Sequence, residues 1–291
     1  MGNREEIRDF LTTRRARITP EQAGLPLYGG NRPVAGLRRE EVALLAGVSV
    51  DYYTRLERGN AQGAPESVLE ALARALQLDE AERAYLFDLV RVANGTAAAR
   101  AAHRPARQQV RPSVQRILDS MASTPALVRN RHLDILAANR LGRALYSPVL
   151  TSPAQPANPA RFMFADPGAR DFYLDWERQA RDMVAMLRAE SGRNPHDRAL
   201  SGLIGELSTR SQAFRTWWDA HNVRVRRTGV KRLHHPVVGD LTLTCEALDL
   251  AADAGLRISA FTAEPGSPSD DALNLLASWA ATIDRDAVAD A

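Results

Sequence analysis

Residues 38 to 59 constrain this chain more than any other stretch. They read Arg38-Arg39-Glu40-Glu41-Val42-Ala43-Leu44-Leu45-Ala46-Gly47-Val48-Ser49-Val50-Asp51-Tyr52-Tyr53-Thr54-Arg55-Leu56-Glu57-Arg58-Gly59. Val42, Leu45 and Ala46 fall at i, i+3 and i+4, which predicts the inward face of a first short helix. Gly47 accepts the positive φ at which that helix must stop. Ser49 is placed to cap a second helix through its side-chain oxygen. In that helix Tyr53 and Leu56 share a face, with Val48 packing before it. Asp51, Tyr52, Arg55 and Arg58 are left on the other faces, and Gly59 ends it. Two helices joined by a turn of about three or four residues, the second exposing polar groups, suit an element that enters the major groove of duplex DNA. An amphipathic helix pair without nucleic acid is the plainer alternative.

A chain of 291 residues predicts two domains. One cysteine, Cys245, leaves no disulfide framework and no cysteine-based metal site within the chain, which suits a reducing cytoplasm. The charged start lacks the apolar core of a signal peptide, and no apolar run of about 18 residues predicts a membrane span. The net charge of +3 does not by itself imply nucleic acid. The local clusters say more: Arg14, Arg15 and Arg17; Arg32; Arg38 and Arg39; Arg55 and Arg58. The basic side chains are almost all arginine, Lys231 being the one lysine. Arginine suits bidentate contacts to phosphate or guanine, although a composition bias gives the same preference.

A first helix is expected over residues 3 to 17, with Ile7, Phe10 and Leu11 inward and Glu5 and Glu6 near the positive end of its dipole. Residues 18 to 37 are punctuated by proline and glycine, and read either as a backbone-touching arm carrying Arg32 or as a surface loop. Pro65 opens a fourth helix with Val68, Leu69, Leu72, Ala73 and Leu76 as its stripe. Asp79 caps a fifth with Ala81, Tyr85, Leu86, Leu89 and Val90 inward, ending at Asn94-Gly95. This predicts an all-α helix-turn-helix domain over 1–95, then a basic linker over 96–110. A second domain is expected over 111–285. It opens with a helix from Pro112 to about Met121 and strands at 126–129 and 132–137. A helix capped by Asn139 follows, then a proline-rich loop over 147–160. Helices are expected near 167–190, 196–209 and 211–221, and strands near 223–226, 230–235, 241–250 and 256–263. A closing helix starts at Pro268 or Ser269. Strands, helices and strands in this order predict an α+β domain with an antiparallel sheet.

Ala46-Gly47-Val48-Ser49, Tyr53 and Leu56-Glu57-Arg58-Gly59 resemble the helix-turn-helix of the repressor-like (XRE) family. Further phrases are Gly36-Leu37-Arg38-Arg39-Glu40-Glu41-Val42-Ala43, Asp51-Tyr52-Tyr53, Asp175-Trp176-Glu177, Trp217-Trp218-Asp219-Ala220-His221 and Gly229-Val230-Lys231. His235-Pro236-Val237-Val238-Gly239, Leu241-Thr242-Leu243 and Ala263-Glu264-Pro265-Gly266-Ser267 continue the series. Together they resemble the MmyB-like transcriptional regulators across nearly the whole chain. That resemblance implies a PAS-like ligand-sensing domain behind a DNA reader. It implies a double-stranded DNA operator, a small-molecule effector of fatty-acid-like character and a cytoplasmic, nucleoid-associated protein. A homodimer is expected from the two-fold symmetry usual in operators. A second domain that only dimerises, behind a constitutive DNA binder, is the alternative.

By the same resemblance Val50, Asp51 and Arg55 match base-reading positions, and Arg39 matches a phosphate contact. Arg38, Ser49, Tyr52 and Arg58 complete the DNA-facing set. Arg55 can pair with guanine O6 and N7. Glu57 matches an internal glutamate that pairs with an arginine of the first helix, here expected to be Arg14. Tyr53 is expected in the core. For the effector, Trp176 and Trp217 are candidate walls, and His221, Arg226, Lys231 and His235 candidate polar contacts. No enzyme is expected: there is no metal-spaced ligand set, no phosphate loop and no nucleophile elbow, hence no cofactor and no metal.

Overall fold

The computed structural model describes residues 2–26, 34–95, 109–153, 155–222 and 228–289, with side chains as far as Thr282. In chain order it forms α1 (Asn3–Arg17), α2 (Arg39–Ala46), α3 (Val50–Glu57), α4 (Glu66–Ala75), α5 (Glu80–Ala93), α6 (Pro112–Ser120), β1 (Ala126–Arg129) and β2 (Ile135–Ala138). It continues with α7 (Arg140–Leu145), α8 (Ser147–Leu150), α9 (Pro159–Ala165), α10 (Ala169–Phe172), α11 (Trp176–Arg193), α12 (Arg198–Arg210) and α13 (Gln212–Asp219). The last elements are β3 (Thr228–His235), β4 (Gly239–Asp249), β5 (Arg257–Thr262) and α14 (Pro268–Ala289). Two compact units result. The first is Met1–Arg104 with Ala185–Ser201 and Thr216–Val225; the second is Pro105–Val184 with Gly202–Arg215 and Arg226–Ala291.

In the first unit the helix ends follow from local chemistry. Ser49 Oγ accepts from the Tyr52 amide at 3.1 Å, a cap worth about 1 kcal/mol. Gly47 sits at φ 65°, in the left-handed region that ends α2. Asp79 and Glu82 cap α5 reciprocally. Ile7, Phe10, Leu11, Val42, Tyr53, Leu56, Leu72, Leu86 and Leu89 form one apolar core. Leu45 departs from the expected pattern, being 37% exposed, and Ala43 takes the inward place. Helix α2 packs on both α3 and α4, and the small side chains of Ala43 and Ala46 allow that approach. The segment Ala185–Ser201 adds Ala189 to this core. It also sets Gly192 against the Tyr85 ring so closely that a Cβ there would overlap it.

The second unit is α+β. Its five strands form an antiparallel sheet in the order β2-β1-β5-β4-β3. Register places Leu127 opposite Ser259, Cys245 opposite Phe261, and Lys231 opposite Leu243. Paired residues share a face, so Leu127, Arg129, Lys231, Leu233, Cys245, Ser259 and Phe261 lie on one side. Tyr146 packs on Phe261 there at 5.3 Å between rings. Val128 and Ile258, on the other side, pack with Val114 and Leu118 of α6.

Several expectations change. The stretch 147–160 contains α8 and the start of α9 instead of a plain loop. The helix expected over 167–190 breaks at Tyr173, where the chain bridges to Leu233 and the Leu174 amide donates to Arg232 O. Strand β2 starts at Ile135 because Asn130 and Asp134 close the preceding turn through two side-chain bonds. The strand expected at 223–226, Arg226, the linker over 96–108 and Arg32 lie outside the described residues.

Asn139 does more than cap α7. Its Oδ1 accepts from the Gly142 and Ala126 amides, and its Nδ2 donates to the carbonyls of Met121 and Thr124 at 2.8 and 2.7 Å. One buried amide thus ties α6, β1 and α7 together. Asn139→Ala leaves these groups unpaired and is expected to cost roughly 2–5 kcal/mol, read as a lowered urea midpoint of the full chain.

Candidate functional site

The recognition geometry starts from Glu57, the last residue of α3, only 2% exposed. Arg15 of α1 donates to Oε1 at 2.6 Å, Arg39 of α2 pairs with Oε2, and the Tyr53 hydroxyl donates to Oε1 at 3.3 Å. One carboxylate therefore joins α1, α2 and α3. Burial, with the Glu57 charge adding to it, pushes the Tyr53 hydroxyl well above its ordinary pKa, so it remains a donor. Tyr53 is a core residue, as expected.

The partner expected for Glu57 is corrected. It is Arg15, not Arg14. Adjacent helical residues point about 100° apart, so only one of the two faces α3. Arg14 turns toward α5 and pairs with Glu82 at 2.9 Å. Burial lowers its pKa to about 10, with Glu82 opposing the fall.

The other side of α3 is open. Val50 is 46% exposed, and Asp51, Arg55 and Arg58 are exposed. Arg55 lies 4.8 Å over the Tyr52 ring, a cation–π contact that steadies it without neutralising it. At the start of α2, Arg38 pairs with Glu40 at 3.4 Å, and Arg39 keeps half its side chain exposed while bound to Glu57. The Ser49 hydroxyl is committed to the cap.

The expected effector residues are divided between the two units. Trp217 and His221 belong to the first unit; Trp176, Lys231 and His235 belong to the second. Trp176 donates to Met163 O at 3.0 Å, with Arg170 stacked 4.0 Å from its ring centroid. His235 serves its turn: Val237 N donates to Nδ1 at 3.2 Å, and Nε2 lies 3.0 Å from Ala144 O. Burial lowers its pKa, against the pull of the Ala144 carbonyl.

Lys231 does face the sheet's inner side, beside groups that residue type alone did not bring forward. Burial lowers the pKa of its ammonium, Cys245 acting in the opposite sense and Arg129 adding to the fall. Burial also raises the Cys245 thiol, which keeps it neutral beside the two cations. Arg129 donates to Ser259 Oγ, and its Nε is buried without a hydrogen-bond partner. Among the described residues neither Arg129 nor Lys231 forms an ion pair. Asp182 acts on Lys231 only through its field.

A second buried cluster lies in the first unit. Arg188, with no exposed surface, pairs with Glu6, donates to Trp218 O and lies 4.0 Å over the Trp218 ring. His221 Nδ1 is 3.0 Å from Arg188 and 3.6 Å from Glu6. The Tyr85 hydroxyl donates to Glu6 at 2.5 Å, and Arg14 donates to His221 O. No sequence signal marked this cluster, because Glu6 and Arg188 are 182 residues apart.

Five helices with an exposed third helix in one unit, and an α+β sheet in the other, define a helix-turn-helix DNA-binding protein with a second regulatory domain. A family model for the MmyB-like transcription regulator ligand binding domain matches residues 110–276, and a helix-turn-helix domain model matches residues 7–86. The chain belongs to the MmyB-like transcription regulators. A search of curated proteins finds no match. Among the described residues no helix is long and apolar enough to cross a membrane, and no group of three His, Cys, Asp or Glu is placed to hold a metal ion.

Burial alone would raise the Glu6 pKa. The His221 ring, the Arg188 charge and the Tyr85 hydroxyl outweigh it and hold the carboxyl at about 2, below its ordinary 4.5. A depressed carboxyl stabilises the fold above its unfolded pKa and loses that contribution as pH falls through the folded value. Urea unfolding should therefore show a loss on the order of 3 kcal/mol as pH drops from about 4.5 to about 2. Glu6→Gln should flatten that part of the profile.

Proposed function

We propose that this protein is a sequence-specific regulator of transcription that binds an operator as a homodimer and answers to a small apolar acid of fatty-acid-like character. The observation that carries the DNA-reading part is the asymmetry of α3. Its inward residues are locked by Glu57 and the core, whereas among the described residues Asp51 and Arg58 are exposed without an ion-pair partner and Arg55 has only its Tyr52 stack. A rigid helix with unsatisfied outward groups is prepared to exchange water for base edges and phosphates. In this reading Val50, Asp51, Tyr52 and Arg55 face bases, while Arg38, Arg39 and Arg58 face phosphates. The Ser49 cap brings the helix N-terminus toward the backbone. The setting is the bacterial cytoplasm, at the nucleoid.

The acidic nature of the effector is supported by Arg129 and Lys231. Two cations without carboxylate partners among the described residues, set among Leu127, Leu233 and Phe261 on one sheet face, are costly unless an anion joins them. A carboxylate with an apolar tail satisfies both the charge and the surroundings. An effector shifts DNA binding only by preferring one conformation of the protein.

Arg55→Ala is expected to cost on the order of 1–3 kcal/mol at one operator base and to relax selectivity there, measured on duplexes selected from a random pool. An equal loss on all sequences would make Arg55 a phosphate contact. Arg129→Met with Lys231→Met should weaken binding of a medium-chain fatty acid to the full chain by tenfold or more, by calorimetry, while the corresponding alcohol is unaffected. Equal binding of acid and alcohol by the unaltered protein would refute the acidic effector.

A further inference from the structure

The five helices of the DNA reader do not balance their own buried charge. Glu6 of α1 is buried, and among the described residues the cation that reaches it comes from far along the chain: Arg188, at ion-pair distance, with the His221 ring 3.6 Å away. From the reader's own helices it receives only the Tyr85 hydroxyl. The same two distant segments meet α1 and α5 elsewhere. Arg14 donates to His221 O, Arg17 donates to Ala220 O at 3.0 Å, and Arg193 pairs with Asp88 at 3.1 Å. Both segments, Ala185–Ser201 and Thr216–Val225, fall within the stretch that matches the ligand-binding-domain model.

Helix α1 also reaches the recognition helix. Glu6 and Arg14 face the distant segments, while Arg15 of the same helix donates to Glu57 at the end of α3. The seam lies on α1 and α5 and leaves the outer side of α3 exposed.

We propose that Arg188 is a positioning residue for DNA recognition: it supplies the cation that holds α1 in place, and α1 in turn holds α3 through Arg15 and Glu57. Withdrawal of Arg188 leaves a buried carboxylate without its cation, and α1 loosens. The ligand-domain stretch thereby permits DNA binding by completing the reader from behind, without touching the groove-facing helix. This rests on the DNA-reading function proposed above.

The test uses the full chain. Arg188→Met keeps bulk and removes charge; Glu6→Leu with Arg188→Met removes both charges, a replacement that buried ion pairs often tolerate. Duplexes are first selected on the unaltered protein from a random pool. Arg188→Met is expected to lower affinity for the selected duplex tenfold or more, and to speed hydrogen exchange in α1 and α3 with little change in α4. The double variant is expected to recover most of both. Should Arg188→Met fail to fold, Arg188→Gln, which removes the charge and keeps a hydrogen-bond donor, replaces it, and its loss of affinity must track exchange in α1. Unchanged affinity and α1 exchange in either single variant overturns the proposal. So does a double variant as impaired as the single one. If the unaltered protein selects no duplex at all, the DNA-reading function itself has failed, and the exchange of α1 and α3 alone then decides whether Arg188 positions them.

Discussion

A single carboxylate, Glu57, fixes what the DNA-reading half can present. It is buried at the end of α3 and accepts from α1, α2 and its own tyrosine. A buried charge is stable only when its oxygens are well satisfied, so the three helices have one arrangement that meets the requirement. The consequence appears on the opposite face. With the inward groups committed, Val50, Asp51, Arg55 and Arg58 are projected outward as a set. Selectivity in helix-turn-helix proteins depends on holding a few side chains of the groove-facing helix at fixed spacing.

The second unit follows the same principle in a different form. Its antiparallel sheet has a side that carries both leucines and unpaired cations, and a side packed by α6. Asn139 joins helix to sheet by saturating one amide. Some polar groups in this unit are saturated, as at Asn139 and His235, whereas the Arg129 Nε is buried without a hydrogen-bond partner among the described residues.

Much of the reader was legible in the sequence because its punctuation is local. Gly47, Ser49 and Asp79 act within four residues of themselves, and each ended or began a helix where expected. What depended on helix phase was less secure: Arg14 and Arg15 differ by one position, and only packing decides which meets Glu57. In the second unit the short hairpin and the alternating C-terminal strands could be read, but the pairing of β1 with β5 spans most of the domain and leaves no local trace. The indole of Trp176 and the ring of His235 have hydrogen-bond partners that residue type alone does not announce. An arginine in a four-residue strand, such as Arg129, likewise gives no sign of which face it takes.

The distance between Glu6 and Arg188 also matters while the chain is being made. The helices that read DNA leave the ribosome before the second unit, yet Glu6 has no Arg188 to meet until 182 further residues have been added after it. Strand β1 likewise has no neighbour on one side until β5 has been translated. Synthesis therefore runs ahead of assembly in both units, and a nascent chain released early would present a recognition helix on an unfinished support.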